Sequence, residues 1–302
     1  MNLKSKQAKA HLALFVANLM FGINYSVAKG VMPNYLSPLG FTLLRVIASS
    51  FLFWAIASFG KNTESIEKKD YLRLIAAGLF GITFNQLLFL NGLNFSTPIE
   101  SSIISTLNPA MVILIAYFLL SEPITTKKII GLIIGASGAL LLILGNGSVS
   151  ISDKHLLGNA MLFLNTLSYA FYLVVVKPLT LKYRPVTVMK GVFTVGLLSI
   201  TPFGFSDLLN TSWNTIPIEI FASIAFVLLG PTFLAYLLNG WGLQHVHTST
   251  VSIYIYSQPV IAAFIAVMFG VDTLDLRKLM AAILVFTGVF LVSQRKRKKV
   301  AT

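Results

Sequence analysis

Ten runs of about twenty mostly apolar residues, set one after another along the chain, decide what this sequence can fold into. A bilayer core about 30 Å thick takes roughly 20 residues of helix at ~1.5 Å rise each. The runs at 10–31, 36–59, 71–92, 97–120, 127–145, 157–178, 185–206, 217–240, 248–270 and 276–294 meet that length. Closed β-barrels also span membranes, but they read as short alternating segments, whereas Ile129 to Leu144 is almost free of polar residues. The expectation is an all-α, polytopic membrane protein with ten transmembrane helices. Breaks are expected at Pro202 and Gly204 in the seventh run and at Pro259 in the ninth.

Composition closes off the alternatives. Hydrophobic residues make up 56% of the chain and charged ones only 11%, against ~25% in soluble proteins. That excludes a soluble globular enzyme and a disordered chain. A net charge of +13 would suit a nucleic-acid binder only if the cations shared one exposed face; here long apolar runs separate them. The partner implied is the lipid bilayer, not nucleic acid. With no cysteine, disulfides, thiolate metal sites and cysteine nucleophiles fall together.

Cations outside the spans set the orientation. With a cytoplasmic N-terminus, 16 of them lie inside and only Lys154, Arg277 and Lys278 outside. Both termini are therefore expected in the cytoplasm, in the plasma (inner) membrane of a bacterium. The first apolar run is too long for a signal-peptide core and lacks a small-residue cleavage site, so it reads as a retained span. The RKRKK run at 295–299 reads as a stop and headgroup anchor.

The chain repeats itself. An offset of 150 aligns Gly92-Leu93 with Gly242-Leu243, Ser102-Ile103 with Ser252-Ile253 and Pro109 with Pro259. It carries on through Glu122 with Asp272, Lys128 with Lys278 and Gly138 with Gly288; an offset of 148 sets Lys29 on Lys177. Residues 1–146 and 147–302 are thus expected to be two five-helix repeats. Five is odd, so the second copy would sit inverted relative to the first. Inverted repeats mark secondary transporters whose site lies near the midplane.

The segments that repeat also resemble a family. FGINYSVAK at 21–29 is similar to the first-span motif of the drug/metabolite transporter superfamily, EamA type, with Phe21 in place of the usual Trp. The segment at 97–125, with Pro109 and Glu122, resembles that family's fourth span; 168–177 and 249–272 resemble the second-copy equivalents. The resemblance covers nearly the whole chain. It implies a fold in which spans 1–4 and 6–9 surround a cavity while 5 and 10 pack outside, and members that mostly export amino acids, metabolites or drugs.

Polar residues at membrane depth are functional candidates by default. Arg45 lies about nine residues into its span, roughly 13 Å deep. It either holds a substrate carboxylate or bridges carbonyls and amides. Asn24, Asn85, Asn108, Asn165, Asn239 and Gln258 belong to spans 1, 3, 4, 6, 8 and 9, and spans 2, 5, 7 and 10 hold no amide in their apolar runs. These six helices should therefore face one polar interior. Asn108-Pro109 and Gln258-Pro259 form a matched pair. Each proline frees a carbonyl that the adjacent amide can satisfy or, with it, offer to a ligand, and a plain packing kink is the competing account. Tyr169 and Tyr172 could stack on an organic solute. Lys29 and Lys177 sit near span ends, where they either gate or snorkel. No carboxylate lies at midspan, and Glu100 enters span four by only about one turn. Transport is then driven by a solute gradient, by exchange, or by a proton through Glu100.

The expected function is secondary transport of small organic metabolites, such as amino acids or related anionic and zwitterionic solutes, by alternating access and in the export direction. The alternatives are a nucleotide-sugar or sugar-phosphate exchanger of the same superfamily, or a membrane-embedded enzyme. The latter needs a metal motif or a deep catalytic pair, and the sequence has neither. No Gly-x4-Gly-Lys-Ser/Thr loop for ATP occurs. No cofactor or metal is expected, His245-x-His247 being explained by a loop, and the protein is expected to work as a monomer or homodimer.

Overall fold

The computed structural model describes residues 3–59, 64–120, 126–143, 154–246, 248, 251 and 254–293, and every regular element among them is helical. The boundary expected at 146/147, Glu122, His247 and the cationic run 295–299 lie outside the described residues. Seven helices are long and apolar enough to cross a membrane, and Ile129–Gly138 and Tyr254–Met268 are shorter apolar helices.

In chain order the elements are α1 (Leu3–Val31), α2 (Pro38–Phe59), α3 (Tyr71–Gly78), α4 (Phe84–Phe95), α5 (Pro98–Ser105), α6 (Asn108–Leu120), α7 (Thr126–Ile143), α8 (Lys154–Lys182), α9 (Pro185–Leu209), α10 (Ile218–Val227), α11 (Ala235–His245), α12 (Gln258–Met268) and α13 (Leu276–Ser293). Starts follow from local chemistry. The Thr97 side chain accepts from the Glu100 N–H, and Pro98 takes a position where a missing N–H costs nothing. Pro185 opens α9 in the same way.

Two interruptions were not expected. The third apolar run is one helical path from α3 to α4 through a π turn at Leu79–Thr83, and the eighth passes from α10 to α11 through another at Leu228–Leu234. Position 150 after Gly81 is Pro231, which lies in the second π turn. Both repeats therefore carry an extra residue per turn at matching depth, a feature that tends to mark functional sites.

Proline behaves differently from the expectation elsewhere. Helix α9 runs unbroken through Pro202 and Gly204. Gly204 is a contact point: a Cβ there would lie 2.6 Å from the Leu39 carbonyl of α2. In the ninth run the helix restarts at Gln258 after a 3-10 turn at Tyr254–Ser257, so Pro259 sits in a first turn. In the fourth run α5 ends at Ser105 and α6 begins at Asn108. Both X-Pro pairs thus open a half-helix rather than kink a continuous one.

The packing pairs elements of the two halves. Helix α2 lies on α9, α4 on α8, α1 on α11 and α12, and α7 on α13. The α7–α13 contact uses glycine: a Cβ on Gly288 would come 2.3 Å from the Gly135 nitrogen, and one on Gly138 would come 2.9 Å from the Ala281 carbonyl.

Candidate functional site

A cavity of about 530 Å³, part of it continuous with solvent, opens among α1, α2, α4, α6, α8, α11 and α12. Seven expected residues reach its wall: Asn24 on α1, Arg45 on α2, Asn85 on α4, Asn108 on α6, Asn165 and Tyr169 on α8, and Gln258 on α12. Asn239 and Tyr172 lie behind it. Asn239 Nδ2 donates to the Tyr169 hydroxyl at 3.0 Å. Tyr172 packs against Tyr169 and Tyr236 and fills the space that Gly81 leaves. Pro109 and Pro259 shape the half-helices without reaching the wall.

Hydrogen bonds fix how the amides face. Asn108 Nδ2 donates to the Thr166 carbonyl at 3.2 Å and Asn165 Nδ2 to the Asn85 carbonyl at 2.8 Å. A carbonyl accepts only, so neither amide can turn round. Gln258 bridges two others: its Nε2 donates to Asn18 Oδ1 at 2.7 Å, and its Oε1 accepts from the Tyr25 hydroxyl at 2.9 Å. The amides beside the two prolines thus reach across to other helices and not to the carbonyls that the prolines free.

Arg45 is the charge of the site. It is 1% exposed; its Nε donates to Thr232 Oγ1 at 2.8 Å, and its guanidinium carbon lies 5.9 Å from the centre of the Phe89 ring. Its Nη1 has no protein partner, and the same holds for Asn24 Oδ1, Gln86 Oε1 and Asn108 Oδ1, all on wall residues. Among the described residues of the wall none is acidic. An unpaired buried polar group costs roughly 1–3 kcal/mol and more when charged, so Arg45 Nη1 calls for an acceptor on a solute while the three amide oxygens call for donors.

The remaining candidates bind backbone or ions. Lys29 Nζ donates to the carbonyls of Leu93 and Asn94 at 3.0 and 2.7 Å, closing the C-terminal end of α4. Lys177 Nζ donates to the carbonyls of Leu243 and Val246, closing the end of α11. Both amines thus complete helix-end carbonyls, where the helix dipole favours a cation. Glu100 is fully buried and accepts from Arg277 Nη2 at 2.6 Å and Asn159 Nδ2 at 2.8 Å, with His155 Nε2 at 2.9 Å. It ties α5, α8 and α13 together away from the cavity.

Sequence reasoning passed over Tyr25, Phe89 and Thr232; Gln86, one of the amides of span three, and Tyr236, among the tyrosines that could stack on a solute, both reach the wall. Tyr236 receives Gln86 Nε2 at 3.0 Å and directs its own proton at the Gly81 carbonyl at 3.0 Å, with Asn85 Oδ1 at 3.1 Å. The 150-residue offset between Gln86 and Tyr236 was the available signal of that pairing.

A sequence model described as the EamA-like transporter family matches residues 8–144 and again 156–294. An uncharacterized transporter of Archaeoglobus fulgidus is 26% identical over 291 residues, covering 95% of this chain and 100% of its own length. The uncharacterized transporter YyaM of Bacillus subtilis is 25% identical, covering 94% of both chains. A WAT1-related protein of Arabidopsis thaliana is 26% identical over 81% of this chain and 75% of its own. A solved crystal structure with 17% identity superposes at a TM-score of 0.66 over 95% of this chain and 97% of that one. It shares the fold.

Proposed function

The chain belongs to the EamA-like transporter family, and from that membership we propose that it is a secondary transporter exporting a small organic anion or zwitterion, such as an amino acid, by alternating access. One observation carries the reading: Arg45 Nη1 is buried and unpaired beside a cavity whose described wall holds no carboxylate. A guanidinium in that state is completed by a carboxylate or phosphate from a solute. The solute then lies between the two halves, where inverted-repeat carriers hold it.

The reading takes ten spans in two inverted repeats, and the repeat is supported by two contacts that exchange under the 150-residue offset: a Cβ on Gly288 would meet the Gly131 carbonyl at 2.5 Å and one on Gly138 the Ala281 carbonyl at 2.9 Å. A reporter fused after Thr302 is expected in the cytoplasm and one inserted in 146–156 on the far side.

The test is thermal-shift screening of purified protein against the 20 L-amino acids, their deaminated acids, nucleosides and sugar phosphates. A bound solute stabilises by mass action. Carboxylate-bearing compounds raise the melting temperature of the wild type, and Arg45→Lys weakens that affinity about tenfold while remaining folded. A response confined to sugar phosphates assigns the exchanger reading instead. Unchanged affinity in Arg45→Lys removes Arg45 from the site.

A further inference from the structure

The π turn at Leu228–Leu234 contains Pro231 and places Thr232, itself fully buried, against α2. In an α-helix the N–H of residue 231 would bond the carbonyl of residue 227. Proline has no N–H to give, and the π turn, with its i to i+5 bonding, turns the Val227 carbonyl toward residue 232 instead. Thr232 Oγ1 also donates to that carbonyl, at 2.7 Å. A hydroxyl has one proton. Having given it to Val227, Thr232 can only accept, and it accepts from Arg45 Nε at 2.8 Å.

We propose that Thr232 is the positioning residue of the site: the π turn makes its hydroxyl an obligate acceptor, which pins Arg45 by Nε and reserves Nη1 for the carboxylate of the solute. This inference rests on the reading of the cavity as a carboxylate site. Three observations support it. The chain Val227, Thr232, Arg45 is continuous in hydrogen bonds and ends on the unpaired Nη1. The Phe89 ring lies 5.9 Å from the guanidinium carbon and holds the other side of the group. And 150 residues before Thr232 stands Ile82, with Gly81 in place of Pro231, so the first π turn builds no such acceptor. There the carbonyls of Phe80 and Gly81 accept from Ser168 and Tyr236 instead. The polar pole is built on one repeat only, which gives the solute a fixed orientation.

Thr232→Val keeps the shape and removes the hydroxyl, while Thr232→Ser keeps the hydroxyl. Purified wild type, both variants and Arg45→Lys are titrated with the 20 L-amino acids and their deaminated acids, and melting temperature and dissociation constant are read on the same samples. Proteoliposome exchange of the tightest of these compounds gives KM and maximal rate. Thr232→Val is expected to weaken affinity and raise KM about tenfold, the loss typical of a hydrogen bond to a charged group, with the maximal rate little changed. Thr232→Ser restores both. If Thr232→Val only lowers the melting temperature and binds each probe as the wild type does while Arg45→Lys does not, Thr232 is a structural residue and the inference falls alone. If the wild type binds no carboxylate, the functional reading falls and takes the inference with it. Should Thr232→Val fail to fold, a Thr232→Ser protein with tenfold weakened affinity also overturns the proposal.

Discussion

Gln86 and Tyr236 stand 150 residues apart, the repeat offset, and they are hydrogen-bonded to each other: Gln86 Nε2 donates to the Tyr236 hydroxyl at 3.0 Å. Both residues line the cavity. The Tyr236 hydroxyl also holds the Gly81 carbonyl inside the first π turn, so one group joins the contact between the halves to an irregular segment. Tyr236→Phe leaves Gln86 and Gly81 each short of a partner and is expected to cost about 1–3 kcal/mol. Unfolding of the single variants and of Gln86→Leu/Tyr236→Phe should show coupling, since the two side chains are in contact. Strict additivity would mean that the bond contributes nothing.

Lys29 and Lys177 close the ends of α4 and α11 in matching fashion. A cation at a helix C-terminus contributes up to ~2 kcal/mol in partly buried settings. Lys29→Met and Lys177→Met should each lower the melting temperature by several degrees, and the double variant by about the sum. Solute affinity per folded molecule stays unchanged, because neither amine reaches the cavity wall. Snorkelling lysines would instead tolerate methionine without loss of stability.

The spans were legible because a bilayer leaves few ways to satisfy a backbone. Amide distribution led to the cavity for the same reason, and seven of its wall residues could be named from Asn, Gln, Arg and Tyr alone. Thr232 could not. A threonine inside an apolar run usually bonds its own helix, and only the π turn, a register change invisible in hydropathy, turns its hydroxyl toward Arg45. Phe89 was hidden by a different cause: it sits on α4 among leucines, where side-chain direction depends on the extra residue inserted at Leu79–Thr83. Proline was read too literally at Pro202, which leaves α9 whole, whereas the ninth run does break beside Pro259, where a helix opens.

Glu100 joins the first turns of α5, α8 and α13 through Arg277, Asn159 and His155. Removing its charge weakens the bond from Arg277, whose side chain is 23% exposed, so water recovers part of the loss. Glu100→Gln is expected to cost about 1.5–3 kcal/mol, and Arg277→Met in the same background should add little because the pair is already broken. Chemical unfolding of the four proteins in the cycle measures it. Equal stability of Glu100→Gln and wild type would show the cluster to be open in solution.

Gly288 and Gly30 offer the sharpest contrast in packing. Alanine at 288 places a Cβ 2.3 Å from the Gly135 nitrogen, 2.5 Å from the Gly131 carbonyl and 2.7 Å from the Gly135 Cα. All three are backbone atoms, so no side chain can swing away and α13 must back off from α7. At Gly30, inside α1, a Cβ would meet nothing within 4 Å. Alanine there only removes the entropic cost of glycine in a helix, about 0.5–1 kcal/mol. Gly288→Ala should therefore lower the melting temperature by several degrees and Gly30→Ala raise it slightly, although the substitution is the same and both residues are helical. The difference isolates backbone approach from helix propensity. A Gly288→Ala protein as stable as Gly30→Ala would show that α7 and α13 do not rely on glycine to meet.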